Sequence, residues 1–361
     1  MPSALSAATD SKPTVLIVDD ESAPRAALTQ ILRQDFHILT AENARTAMAV
    51  LNNHGVDLVT LDLRLPDGSG SELLDEIKRT HAEIEVIMVT AYGTLQSAMD
   101  CIRHGAAGFL LKPFNASELL TISLQTSHKK QRLDMLRAAL ASDKALWGPD
   151  PACTKAWGAL TGRYSAFLKT GTREAAQGDG SSPLIQLVSD LLEAKERHLV
   201  NHSNRVSFYA TLVANRLQLS LPEQNILSLG ALAHDLDLIN PQMSTPLQQE
   251  SDRDRHRTDL GARIGRALGL PADAVQIIAL HHERWDGTGF PFGLQGERIP
   301  QLARIVSLAQ AFDDLTAEKP GMTALPMKDA IEQIEREAGT AFDPELTGLF
   351  CKTMREQPPQ S

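Results

Sequence analysis

The sequence predicts two domains of different class: an α/β domain built on a doubly wound parallel sheet, followed by an all-helical domain. Three observations lead there. Across residues 13–127, short apolar runs alternate with helical patterns. The polar residues of that region gather just past the ends of the apolar runs. From residue 184 to 355 the apolar spacing is helical, with no convincing strand. A chain of 361 residues is long enough for two cores. Its 42% hydrophobic and 22% charged fractions are ordinary for a globular protein.

In the first domain, residues 15–18, 37–41, 58–61, 86–89 and 108–111 read as buried strands, since each is a short, nearly continuous apolar run. Helices fit between them at 22–34, 44–53, 71–80 and 94–104. Alternating units of this kind imply a parallel sheet, whose chemistry collects at the carboxyl ends of the strands. Asp19 and Asp20 follow the first strand, Asp62 the third, Thr90 ends the fourth and Lys112 follows the fifth, before Pro113. A single Asp here, Asp62 included, reads better as a helix cap or loop residue. Three carboxylates converging in one cleft repel one another unless a cation joins them, and Mg²⁺ on oxygen ligands answers that need. Asp62 is then a candidate carboxylate nucleophile, with Thr90 and Lys112 on the phosphoryl oxygens.

This constellation resembles the receiver domain of two-component response regulators, a flavodoxin-like (βα)5 fold. The resemblance implies that Asp62 is the phosphoacceptor and a sensor histidine kinase the donor. It implies Mg²⁺ held by Asp19, Asp20, Asp62 and the backbone carbonyl of Arg64, with Thr90, Phe109 and Lys112 as switch residues. Receivers commonly dimerise through the face bearing the last strand and helix, so a homodimer strengthened by phosphorylation is expected.

Residues 128–183 read as a connection. Ser117 is a plausible cap for a helix that runs on through Leu133, Leu136 and Leu140 as a signalling helix, until Trp147-Gly148-Pro149-Asp150-Pro151 breaks it. A short helix at 152–169 follows, then a flexible linker from Gly171 to Pro183. Residues 1–12 read as a disordered tail. No helix-turn-helix or basic recognition helix is present, and the net charge of −10 argues against a nucleic-acid or anionic-membrane surface. No apolar run reaches the ~18 residues of a spanning helix. Three widely spaced cysteines suggest neither disulfides nor a zinc pattern, which fits a reducing cytoplasm.

In the second domain, helical periodicity recurs at 184–196, 203–219, 222–234, 258–268, 272–282, 300–316 and 326–338. His198 and His202 are four apart on one helical face, a spacing that also suits a surface pair. His234-Asp235 closes an apolar run, where an imidazole and a carboxylate can bind one metal and bridge to a second. His281-His282 opens the string His281-His282-Glu283-Arg284-Trp285-Asp286-Gly287-Thr288-Gly289-Phe290-Pro291.

That string resembles the signature of HD-GYP domains, a branch of the HD metal-dependent phosphohydrolases that usually hydrolyse cyclic di-GMP, except that Phe290 stands where the family has Tyr. His202-Ser203-Asn204-Arg205-Val206, His234-Asp235, Pro241, Ile299-Pro300, Ala303-Arg304-Ile305-Val306 and Phe342-Asp343-Pro344 match the same pattern. The resemblance implies an all-helical HD domain with Fe²⁺ or Mn²⁺ on His202, His234, Asp235, His281 and His282, and His198 is a further candidate as a neutral imidazole ligand. It also implies cyclic di-GMP as ligand and partners such as diguanylate cyclases or other signalling proteins.

Several departures fall on chemical positions. His198 replaces a glutamate, and Leu236-Asp237-Leu238 replaces x-Gly-Lys after His-Asp. Arg257 replaces a histidine four before Gly261, with His256 about 100° round the helix. Gln310 replaces an aspartate, and Lys319-Pro320-Gly321-Met322 replaces Arg-Pro-Tyr-Arg. Gln310 offers at most a neutral carbonyl, and Leu238 cannot stabilise phosphate charge. The expectation is therefore a phosphorylation-controlled domain that binds cyclic di-GMP or a protein with weak or no hydrolysis, the alternative being an active phosphodiesterase with an atypical metal site.

Overall fold

The computed structural model describes residues 12–91, 94–148, 151–171, 183–241, 250–318 and 323–356. Residues 1–11 of the expected tail, most of the linker expected at 171–183, and Lys319 to Met322 thus lie outside the described residues. The chain divides into two compact units, residues 1–132 and 133–361.

The first unit is the expected parallel sheet. Strands β1 (Thr14–Val18) and β2 (His37–Ala41) alternate with helices α1 (Ser22–Leu32) and α2 (Ala44–Asn53). β3 (Leu58–Leu61) leads into a two-residue antiparallel pair that the periodicity does not announce, β4 (Arg64–Leu65) and β5 (Gly68–Ser69). Then come α3 (Gly70–Thr80), β6 (Glu85–Thr90), α4 (Leu95–Arg103), β7 (Gly108–Leu111) and α5 (Ala116–Ser142). The five parallel strands lie in the order β2-β1-β3-β6-β7. Strand alternation explains why each run is apolar throughout. Leu16, Val18, Val59 and Leu61 face a core with Leu51 of α2 and Leu74 of α3, whereas Val15, Ile17 and Val89 face another with Leu28 of α1 and Leu119 of α5. The order reverses its direction between β1 and β3, and that switch point opens a crevice at their carboxyl ends.

The second unit is helical. After the last turns of α5 and a 3-10 turn at Lys144–Trp147, it contains α6 (Ala152–Gly171), α7 (Pro183–Lys195), α8 (Arg197–Arg216) and α9 (Leu221–Ala233). A 3-10 turn at Leu236–Ile239 precedes α10 (Glu250–Leu268) and α11 (Ala272–Leu280). Helices α12 (Gln301–Thr316), α13 (Met327–Arg336) and α14 (Pro344–Arg355) complete it. Only an isolated bridge, Ala338 to Phe342, adds β pairing among its described residues. α9 and α11 approach closely at Gly230, where a Cβ would lie 2.5 Å from Ile277 Cδ1.

Residues 128–183 are not all connection. Leu133, Leu136, Leu146, Trp157, Leu160 and Tyr164 are buried in the same core as Leu187, Val188 and Leu191 on α7 and Leu232 on α9. The spacing of Leu133, Leu136 and Leu140 is that of a stripe covered by neighbouring helices. Trp157 fixes α6 by donating from its indole N–H to the carbonyl of Leu146 at 3.0 Å. Trp157→Ala is expected to destabilise the helical unit by about 3–5 kcal/mol, the usual cost of emptying an aromatic core position. Urea unfolding followed by far-ultraviolet circular dichroism checks this, and a loss below about 1 kcal/mol would mean that α6 is peripheral.

Candidate functional sites in the two units

In the first unit the switch-point crevice holds the expected residues. Asp19 follows β1 and Asp62 follows β3; both are buried, as is Thr90 at the end of β6. Lys112, just beyond β7, places Nζ 2.6 Å from Asp19 Oδ2 and 2.6 Å from Asp62 Oδ2. Burial opposes its charge, but the two carboxylates outweigh burial and raise the ammonium above the ordinary lysine range. The other oxygens meet backbone: Asp19 Oδ1 accepts from Glu21 N at 3.0 Å, and Asp62 Oδ1 from Arg64 N at 3.2 Å. Asp20 and Arg64 are exposed at the rim, and Phe109 is half-buried against the core. Gly70 sets the depth of Asp62. A Cβ there would fall 2.0 Å from the Asp62 carbonyl oxygen, so only glycine lets α3 start this close to the strand end. One ammonium facing two buried carboxylates, with Asp20 beside them, leaves net negative charge that suits a divalent cation.

In the second unit, His202 on α8, His234 at the end of α9 and Asp235 bring one ligand atom each within 4.8 Å of one another. His202 Nε2 lies 3.2 Å from His234 Nε2 and 3.6 Å from Asp235 Oδ2, and His234 Nε2 lies 3.4 Å from the same oxygen. The other ring nitrogens fix the tautomers. His234 Nδ1 donates to the Ala231 carbonyl at 2.7 Å, and His202 Nδ1 meets Asp313 Oδ2 at 2.7 Å. Two Nε2 lone pairs and a carboxylate oxygen therefore point at one spot, which a proton or a metal ion must occupy.

Asp313 is the residue that sequence reasoning missed. It is fully buried on α12 and accepts from His202 and from both Nε and Nη2 of Arg205, at 2.6 and 2.9 Å. Arg205 lies three residues after His202 on α8, so one carboxylate orients two members of the His202–Arg205 motif. Burial would push Asp313 up, but these two partners hold it below the usual carboxylate range. Burial likewise opposes charge on His202, yet Asp313 and Asp235 raise its imidazole above the usual value. Burial and the proximity of His202 lower His234. Asp235 stays low despite burial, because His234, His202, Arg257 and His282 surround it with positive potential.

The remaining candidates divide. His281 is buried, its Nδ1 within 3.1 Å of the Ile277 and Ile278 carbonyls, and its ring is 5.2 Å from that of His234. Its Nε2 has no hydrogen-bond partner among the described residues, and burial with His282 and His234 nearby keeps it well below the usual imidazole range. His282 is half-buried, 4.0 Å from the His281 ring and stacked at 4.8 Å on Phe290. His198, in contrast, is exposed in the first turn of α8 with Nδ1 3.0 Å from Glu196, away from the buried cluster. Gln310 is half-buried on α12, three residues before Asp313. His256 lies in α10, but its side chain is outside the described residues. Arg257 donates from Nε to the buried Asp237 at 2.7 Å. Burial and neighbouring Asp235 push Asp237 up to about 7, against the pull of that guanidinium.

The loop after His282 is held by its own motif. Glu283, buried, accepts from the backbone N–H of Phe292 at 2.7 Å and of Leu294 at 2.9 Å. Gly289 passes so near that a Cβ would lie 2.3 Å from Arg284 N. Trp285 N and Asp286 N donate to the carbonyls of Ala341 and Thr340. Arg304 pairs with Asp343 and stacks over the Trp285 ring, so three of the separate sequence matches meet in one place.

Comparison with known proteins identifies the two domains. Residues 15–123 match the response regulator receiver domain family and residues 186–346 match the HD domain family. Over 95% of its length the chain is 28% identical to the cyclic di-GMP phosphodiesterase of Thermotoga maritima, covering 91% of that protein. It is 29% identical, over 94% of its length and 87% of the relative's, to the cyclic di-GMP phosphodiesterase response regulator RpfG of Xanthomonas campestris pv. campestris. A probable cyclic di-GMP phosphodiesterase of Vibrio cholerae is 27% identical over 93% of this chain and 77% of that protein. The chain thus joins a response regulator receiver domain to an HD domain.

Proposed function

We propose that this protein is a phosphorylation-controlled regulator in cyclic di-GMP signalling, whose HD domain holds a divalent metal and binds its ligand or a protein partner with weak or no hydrolysis. The observation that carries the reading is the pair of Nε2 atoms 3.2 Å apart, facing one oxygen of Asp235, beside positions that no longer supply ligands. A metal on His202, His234 and Asp235, Fe²⁺ or Mn²⁺ as the resemblance to HD-GYP domains implies, would supply a Lewis acid and an activated water. What this chain contributes around it is positioning. Asp313 holds His202 by its Nδ1, Ala231 holds His234, and Arg205 is pinned on the same carboxylate. Phe290 covers one face of His282. The second-rank changes reduce turnover: Leu238 offers no charge for a phosphate, His198 sits at the surface, and Gln310 is neutral.

In the receiver domain, Asp62 is the proposed phosphoacceptor, with Mg²⁺ at Asp19, Asp20, Asp62 and the Arg64 carbonyl, and Lys112 on the phosphoryl oxygens. A phosphoryl group adds charge and strong acceptors where Lys112 now serves two carboxylates, so the ammonium must be shared anew. Thr90 and Phe109 lie on the neighbouring strands as the proposed switch. A sensor histidine kinase is the proposed donor.

The alternative, an active cyclic di-GMP phosphodiesterase, is favoured by the names of the relatives. Three measurements test the proposal, and turnover separates the two readings. Asp62→Asn is expected to abolish labelling by acetyl phosphate, and labelling that persists would remove Asp62 from its role. Titration calorimetry with cyclic di-GMP is expected to give heat of binding, with little or no turnover above the metal-free control in protein purified anaerobically with Mn²⁺ or Fe²⁺. Turnover that disappears in His234→Ala would establish the alternative instead.

A further inference from the structure

Asp235 and Asp237 bracket Leu236 at the start of a 3-10 turn, and both carboxylates are buried. Two such charges in a low-dielectric interior repel each other and call for a cation. Asp235 turns Oδ2 toward His202 and His234. Asp237 meets Arg257, whose Nε lies 2.7 Å from Asp237 Oδ2.

The backbone brings this arginine to its place. Gly261 is one turn further along α10, on the same face as Arg257. A Cβ on Gly261 would lie 3.5 Å from Asp237 N and 3.0 Å from Ile278 Cγ2, so the helix already touches the turn there. Arg257 also acts on Asp235, adding to the positive potential around it. Around Asp235, among the described residues, only His202 and His234 bring ligand atoms within 4.8 Å of its carboxylate and of each other. A second divalent ion bridged through Asp235 would have only His281 and His282 as further imidazoles and would face a guanidinium whose charge does not titrate away.

We infer that Arg257, seated on Asp237 beside Asp235, is a resident cation that supplies the charge of a second metal ion and restricts the centre to one ion. The two departures read separately in the sequence, Asp237 for a glycine and Arg257 for a histidine, are then one substitution in space. This inference rests on the metal-centre reading above.

The test counts ions. The full chain is loaded anaerobically with Mn²⁺ in excess Mg²⁺, which keeps the receiver crevice filled with Mg²⁺, and is then gel-filtered. Manganese per chain is measured by mass spectrometry and its coupling by electron paramagnetic resonance. One uncoupled Mn²⁺ per wild-type chain is expected, and two, with an exchange-coupled spectrum, in the double variant Arg257→His, Asp237→Gly. Two ions in the wild type would overturn this inference and leave the metal centre standing; none would overturn both. A folded double variant that stays at one ion also overturns it. Should that variant not fold, Arg257→Gln serves: it removes the charge and is expected to bind its single Mn²⁺ at least threefold more tightly, and unchanged affinity would sink the role given to Arg257.

Discussion

A carboxylate taken out of water needs a positive partner, because an unpaired buried charge costs several kcal/mol even after the protein relaxes around it. Both units are arranged around that requirement. Lys112 answers Asp19 and Asp62, Arg205 answers Asp313, and Arg257 answers Asp237. Asp235 differs, since its nearest partners are the two imidazoles. Imidazoles carry charge only when protonated, so this is the place where the interior accepts either a proton or a metal ion.

The pairs also fix shape. Asp313 ties α12 to α8 through two residues of α8, and Glu283 ties the loop after α11 to its own start. In the first unit Lys112 joins the ends of β1 and β3 to the residue after β7. These links cross between elements that packing alone would hold less specifically, since an apolar contact has no direction while a charge-assisted hydrogen bond does.

The sheet was legible because buried parallel strands are short apolar runs, and the switch-point residues stand immediately after them. The HD domain's buried histidines were legible through motif spacing. Asp313 was not, because Asp313-Asp314 gives no local sign of which carboxylate turns inward. The signal was present in phase: Ala309, Phe312 and Asp313 lie on the buried face of α12 with Ile305. His198 failed for the opposite reason. Four-residue spacing places it near the face of His202, but in the first turn of α8 Leu199 and Val200 take the core side, while His198 stays exposed beside Glu196. α14 escaped because its apolar pattern is short, although Asp343-Pro344 is a good helix start, with Asp343 accepting from Glu345 and Leu346 N–H. The pairing of Asp237 with Arg257 spans 20 residues and needed the fold to be seen.

The loop bearing Phe290 owes its form to the carboxylate of Glu283, to backbone bonds and to glycines, and none of these uses the para position of the aromatic ring. The ring at residue 290 can therefore change its para substituent without disturbing the bonds that shape the loop, so the form of the loop and the chemistry of that ring are independent variables.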